Sequence, residues 1–182
     1  CGKDENSAIL QDLLVHASKG IAQYAHRARA LGATDPAVDR FILKALFITV
    51  TNVNFDPQAI EVALREAALM RDTAKALYEN AARTAGKTPE TLTGPATWVP
   101  APTLAGLVAE GRMVSIPSRK DKHGPDINGL QELLVYGIKG AAAYADHAQI
   151  LGQEAEPVYA FFAETLSYLA EEKPTVDQLL RL

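Results

Sequence analysis

Apolar residues recur at helical spacing along the start of the chain and predict three consecutive helices. In residues 10–32 the apolar positions repeat every three or four residues, and Gly32 is the kind of residue that ends many helices. Asp35-Pro36 and Asp56-Pro57 each place a capping aspartate directly before a proline, which is typical of a helix start. Short loops between these helices predict an up-down-up bundle over residues 1–83.

The opening helix occurs twice in the sequence. LQDLLVHASKGIAQYAHRARALG at residues 10–32 aligns without a gap with LQELLVYGIKGAAAYADHAQILG at 130–152, and 13 of the 23 positions are identical. Further helices are predicted after Glu156-Pro157 and at Thr175, which has a capping-box spacing to Gln178. We therefore expect a second three-helix bundle over 128–182. Its third helix is much shorter than that of the first copy, so we expect the chain to be a fragment of a longer protein.

Residues 84–127 differ from both copies in composition. They hold six of the ten prolines and five of the twelve glycines, which is too dense for long helices. We expect a connector with one short helix at TLAGLVAE, attached to a bundle by Trp98. The predicted fold class is therefore all-α: two three-helix bundles from an internal repeat, joined by a long connector rich in proline and glycine.

Charge and composition exclude several classes of partner. The net charge is -4 and the pI is about 5.6, so no basic face is available for nucleic acid, and we expect no nucleic-acid partner. No apolar run approaches the length of roughly 18 residues that spans a bilayer, so we expect no membrane partner. The single cysteine, Cys1, excludes an internal disulfide and agrees with a reducing, cytoplasmic location.

Motifs for autonomous catalysis are absent from the sequence. Gly86-Lys87-Thr88 resembles the end of a phosphate-binding loop, but Ala81 stands where that motif needs its first glycine. No histidine has an acidic residue three positions before it, as di-iron sites in helical bundles require. We therefore predict no catalytic residue in this chain.

Four features, three of them in the repeated helix, have both a structural and a functional interpretation. Tyr24 and Tyr144 are expected in the core rather than as acids, and Gly20 and Gly140 are expected to pack against another helix rather than a cofactor. His26 and His147 are expected to be partly buried and hydrogen-bonded between helices. Asn52 and Asn54, between the second and third helices, are expected to shape a turn.

Several of these stretches also carry a family resemblance. CGK, the first repeat copy, VDRFILKALFITVTNVNFD and the second copy together resemble the helical N-terminal region of the hybrid cluster protein family, also called prismane or hydroxylamine reductase. TNVNFD and KGAAAYA make the resemblance specific, and it covers essentially the whole chain.

The resemblance implies two iron-sulfur cofactors in the parent protein. One is a 4Fe-4S cubane held by four cysteines, of which Cys1 matches the last, so Cys1 is the single predicted metal-binding and cofactor-binding residue. The other is an iron-sulfur-oxygen hybrid cluster whose ligands belong to later α/β domains. The three remaining cubane cysteines are implied to lie upstream.

The resemblance also implies an activity and partners. Members reduce hydroxylamine to ammonia, or nitric oxide to nitrous oxide, with electrons from a reductase partner in the cytoplasm. This chain would supply one cluster cysteine and pack around the redox centres beside the remaining domains of the parent protein, without activity alone. The alternative is a non-catalytic helical scaffold or partner-binding domain in which Cys1 is an inert thiol.

Overall fold

The computed structural model describes residues 2–50 and 53–182, and in these residues the chain is all-helical, without a strand. The all-α prediction is thus confirmed. No helix among them is both long enough and apolar enough to cross a bilayer. The α-helices are α1 (Glu5–Arg29), α2 (Pro36–Ile48), α3 (Pro57–Thr84), α4 (Leu104–Val114), α5 (Ile116–His123), α6 (Pro125–Ile150), α7 (Glu156–Tyr168) and α8 (Val176–Leu179), and a 3-10 helix spans Gly94–Thr97.

Helices α2 and α3 begin where the two aspartate-proline pairs predict. The Asp35 carboxylate accepts from the backbone N–H of Ala37 at 2.8 Å, and Asp56 accepts from that of Gln58 at 2.9 Å. Each of these caps satisfies an N–H group that the first helical turn leaves free. Helix α1 then packs along α3 and against α2, and their apolar faces form the main core.

The helices of the second copy pack mainly on this same core. Helix α6 lies against α2, while α7 lies against α1 and α2, and α6 and α7 make few direct contacts with each other. Phe162 and Leu166 of α7 are fully buried in the core. Arg29 joins the copies by pairing with Glu156 of α7 at 2.8 Å, and it also pairs with Asp39 of its own copy at 2.8 Å. The division into units at residues 83 and 128 therefore stays a prediction.

The connector holds two α-helices instead of the one that we predicted. Pro117 and Pro125 lie in the first turns of α5 and α6, where a missing N–H group costs nothing, so they start helices rather than prevent them. Trp98 anchors the connector as expected. Its indole Nε1 donates to Glu110 at 3.1 Å, its carbonyl accepts from Arg71, and its ring packs on the core.

Several expectations hold in the first copy and fail in the second. Tyr24 is 4% exposed, as a core residue should be, whereas Tyr144 is 82% exposed. A Cβ atom on Gly20 would lie 2.2 Å from the carbonyl oxygen of Pro95, whereas one on Gly140 would meet nothing within 4 Å. The prediction of close approach is therefore wrong for Gly140, and at Gly20 the neighbour is a 3-10 helix rather than an α-helix.

The histidine prediction is only partly met. His26 is partly buried, but His147 is exposed and lies edge-on to the Phe47 ring at 5.4 Å between centroids. Neither imidazole forms a hydrogen bond within residues 2–50 and 53–182. The bridging role between helices is therefore wrong for both side chains in the described chain.

Candidate functional site

The segment that follows Cys1 is held against the loop between α2 and α3. Cys1 itself lies outside the described residues. Lys3 Nζ donates to Gln11 Oε1 at 2.7 Å and lies 5.2 Å from the centre of the Phe55 ring. Asp4 then caps α1 by accepting from the N–H of Ser7 at 3.0 Å. These contacts hold Lys3 and Asp4 against the helical body.

Gln11 links the same segment to the end of α2. Its Nε2 donates to the carbonyl oxygens of Ile48 at 3.2 Å and Asn54 at 3.1 Å, so all its polar atoms are paired although the side chain is buried. The Asn54 carboxamide accepts from the N–H of Asp56 at 2.9 Å, which confirms its turn role. Asn52 lies outside the described residues.

No metal centre is built from the residues that the structure describes. Within 2–50 and 53–182 no group of three or more histidine, cysteine, aspartate or glutamate side chains is placed to hold a metal ion. An iron-sulfur cluster needs several thiolates, and the only cysteine of the chain is Cys1. The described residues therefore do not fit a complete cluster site.

A polar cavity of about 570 Å³ lies between α1 and two parts of the connector, residues 90–95 and α5. One stripe of α1 forms its base: His16, Lys19, Gln23 and Arg27, three or four residues apart. Residues 90–95 form one wall, and α5 with Gln131 of α6 forms another. The remaining part of the rim is residues 169–173, after α7.

Lys19 is the most deeply buried charged side chain of this cavity, at 5% exposure. It forms no hydrogen bond or ion pair within the described chain. Burial, with the nearby Arg119 guanidinium, lowers the pKa of Lys19 from 10.5 to about 7. Burial also lowers the pKa of His16 to about 4, helped by the charges of Lys19 and Arg119, so this imidazole is neutral at pH 7.

The other two deep cations of the cavity are already paired. Arg27 Nε contacts Glu90 Oε2 at 2.9 Å, and Arg119 is paired with Glu132 while donating to the carbonyl oxygen of Val114 at 3.0 Å. Among the residues that the structure describes, Lys19 is thus the deep cation of this cavity without a counter-charge in hydrogen-bond contact.

Two buried amides at the cavity also lack partners. The Oε1 atoms of Gln23 and Gln131 are inaccessible to solvent and accept no hydrogen bond in the described residues. Burial of an unpaired polar atom is unfavourable, and such atoms often indicate a missing ligand or water. Two of the four buried side-chain polar atoms without a partner in the described residues thus belong to residues that line this cavity.

The wall formed by residues 90–95 is fixed by the tight contact at Gly20. Any side chain at Gly20 would collide with the carbonyl of Pro95, so glycine permits this wall to rest directly on α1. Tyr78 of α3 supports the wall from behind, because its hydroxyl accepts from the N–H of Glu90 at 2.9 Å.

Sequence reasoning missed this cavity. The available signal was Lys19, which the second copy repeats as Lys139. Lys139 is only partly buried, and Asp12 and Glu132 act on both lysines, so the repeat alone did not distinguish the deeply buried lysine from the more exposed one.

The repeated opening helix and the lack of strands in the described residues define a helical domain. Comparison with known families shows to which family this domain belongs. The sequence model of the Prismane/CO dehydrogenase family matches residues 1–182. The chain belongs to this family, which confirms the resemblance to hybrid cluster proteins.

Curated relatives are close in sequence but about three times as long. The chain is 53% identical to a hydroxylamine reductase of Rhodospirillum rubrum over 182 residues, which is all of this chain and 33% of that protein. It is 49% identical to a hydroxylamine reductase of Burkholderia lata over 180 residues, 99% of this chain and 32% of the relative. A hydroxylamine reductase of Geobacter sulfurreducens is 46% identical over 173 residues, 94% of this chain and 31% of the relative. The chain therefore spans about a third of the length of these relatives.

Proposed function

We propose that this chain is the helical portion of an iron-sulfur oxidoreductase resembling hydroxylamine reductase. The observation that carries the proposal is the 53% identity over all 182 residues to a protein of that name. The parent protein would reduce hydroxylamine to ammonia, or nitric oxide to nitrous oxide, in the cytoplasm, with a reductase as electron donor. Its cofactors would be a 4Fe-4S cluster and a hybrid cluster.

Within that protein, Cys1 is proposed as one thiolate ligand of the 4Fe-4S cluster. The contacts of Lys3 with Gln11 and Phe55 support this role, because they hold the chain next to Cys1 on the helical body. All other cluster ligands would come from the rest of the parent protein, so the 182-residue chain alone should show no reductase activity.

The test compares the parent protein with its Cys1→Ser variant. Both are reconstituted anaerobically with iron and sulfide, and iron content, visible absorption and electron paramagnetic resonance of the reduced protein are measured. Loss of about four iron atoms and of the cubane signal in the variant would support ligation, since such a cluster is held by four thiolates. Asn6→Ala, an exposed change in the first turn of α1, is the control and should keep both signals.

A second candidate is a non-catalytic scaffold, and one observation favours it. In residues 2–50 and 53–182 no group of three or more histidine, cysteine, aspartate or glutamate side chains is placed to hold a metal ion, so Cys1 is the proposed link between this chain and a cofactor. Unchanged iron content in Cys1→Ser would support the scaffold and contradict the ligand role.

A further inference from the structure

The cavity on α1 has an excess of positive charge at its base. Within the described residues, Arg27 and Arg119 are paired with Glu90 and Glu132, whereas Lys19 forms no ion pair. At the exposed rim, Lys122 and Lys173 are matched in number by Glu171 and Glu172. Among the described residues of the cavity, the ammonium of Lys19 is therefore the buried charge without an ion-pair partner, although the charges of Asp12 and Glu132 partly oppose the lowering of its pKa.

Several hydrogen-bonding groups line the cavity with Lys19, beside apolar residues such as Leu92 and Val114. The side-chain Nε2 groups of Gln23 and Gln131 line the cavity and donate no hydrogen bond within the described residues, so they can donate to a ligand. Their buried Oε1 atoms are acceptors, which an anion leaves unpaired and a water molecule would satisfy. Thr91 and Thr93 add hydroxyl groups from the opposite wall. A buried cation surrounded by free donors is complementary to an anion with several acceptor oxygens.

We propose that this cavity binds a small free oxyanion, with the Lys19 ammonium as its charged ligand and Gln23 and Gln131 as amide donors. A cation would be repelled by Lys19, and an apolar ligand would leave its buried ammonium without a partner. This site is separate from Cys1 and does not depend on the proposed cluster.

Binding should weaken as the pH rises. The charged groups that influence Lys19 are Asp12 and His16 on its own helix, Arg119 and His123 on α5, and Glu132 and Lys139 on α6. The pKa of His16 is about 4 and burial lowers that of His123 below 6.5, so neither imidazole gains charge above pH 6.5. Lys19, with a pKa of about 7, is the group that loses its charge between pH 6.5 and 8.5.

The test titrates the 182-residue chain with sodium sulfate at constant ionic strength, because sulfate keeps its charge across this pH range. Calorimetry gives the Kd, and amide chemical shifts locate the ion. We expect saturable binding, shifts at residues 19–23 and 91–94, and a Kd that rises roughly tenfold or more from pH 6.5 to pH 8.5. This measurement needs no variant.

Two variants sharpen the test. Lys19→Met keeps the length of the side chain and removes its charge, and should weaken sulfate binding at pH 6.5 at least about tenfold, consistent with losing a charge-assisted contact. Lys139→Met, the same change at the matched position of the repeat, should leave the Kd within about twofold. An absence of saturable binding, a Kd independent of pH, or equal effects of the two variants would overturn the proposal.

Discussion

The two copies of the opening helix share most of their sequence and have opposite surroundings. In α1, Leu13 is fully buried and Tyr24 is 4% exposed. In α6, the identical residues Leu133 and Tyr144 are 67% and 82% exposed. In the described residues, helix α1 is covered by α3, α4, α7 and the 3-10 helix. The main contacts of α6 are with α2, α5 and the short α8.

This contrast separates what a helical pattern specifies from what it does not. The spacing of apolar residues determines the helix and its apolar face, and both copies obey it. What covers that face depends on other parts of the chain: α3 has 28 residues, while α8 has four. Closely similar sequences can therefore form a core helix in one place and a partly solvent-exposed helix in another.

The largest difference between the copies should be seen on shortening their leucines. Leu13→Ala creates a cavity in the core and should lower the free energy of unfolding by about 2–5 kcal/mol. Leu133→Ala removes a mostly exposed side chain and should change it by less than about 0.5 kcal/mol. Urea denaturation followed by circular dichroism measures both, and equal losses would contradict the structural difference.

The repeated glycines should respond with opposite signs. Gly20→Ala places a methyl group against the carbonyl of Pro95 and should cost about 3 kcal/mol. Gly140→Ala meets no neighbour within 4 Å and should stabilise the helix by up to about 1 kcal/mol. Thermal denaturation of the two variants gives the comparison, and a lower Tm for Gly140→Ala would show that its helix face is covered.

The buried lysine of the first copy should make stability depend on pH. Because the pKa of Lys19 is about 7 when folded and 10.5 in its ordinary state, the unfolded chain binds more protons between these values. The free energy of unfolding should therefore rise from pH 7 toward pH 10, by on the order of 2 kcal/mol from this group. Urea titrations of wild type and Lys19→Met across this range measure the slope that the variant should lose.

Lys139 provides the matched control for that slope. It is more exposed than Lys19, although burial also lowers its pKa, so Lys139→Met should remove less of the slope. A pH slope that Lys19→Met leaves intact would show that Lys19 is not the group responsible.

The smallest expected contrast is between Gln11 and Gln131, which occupy matched positions of the two copies. Gln11→Ala leaves Lys3 and two carbonyl oxygens without their partner and should cost about 1 kcal/mol. Gln131→Ala removes an amide oxygen that is already unpaired and should be neutral or slightly stabilising. Chemical denaturation resolves the pair, and a larger loss for Gln131→Ala would reveal an unseen partner in the cavity.

The sequence predicts local features of this fold well and long-range ones poorly. Asp35-Pro36 and Asp56-Pro57 start helices because their caps act within one turn. The exposure of Tyr144 and the burial of Lys19 depend instead on elements far along the chain, which the helix itself does not encode. Helix α5 was missed because Pro117 was interpreted as a break although it occupies the first turn.

The candidate functional residues likewise include one that the sequence predicts, Cys1, and a cavity that it does not predict. Cys1 was predicted from a family resemblance, and its metal-binding role stays a prediction because it lies outside the described residues. The cavity could not be predicted, because His16, Lys19 and Gln23 come from one helix but the walls that enclose them come from residues 90–95, α5 and α6.

Nitration of tyrosines is the most direct measurement of the central contrast, that one copy of the repeat is buried and the other is exposed. The native chain is treated briefly with tetranitromethane and each tyrosine is quantified by peptide mass spectrometry. The structure predicts rapid modification of Tyr144 and of the exposed Tyr136, with Tyr24 protected until the chain is unfolded. Modification of Tyr24 at the rate of Tyr144, or protection of both, would contradict it.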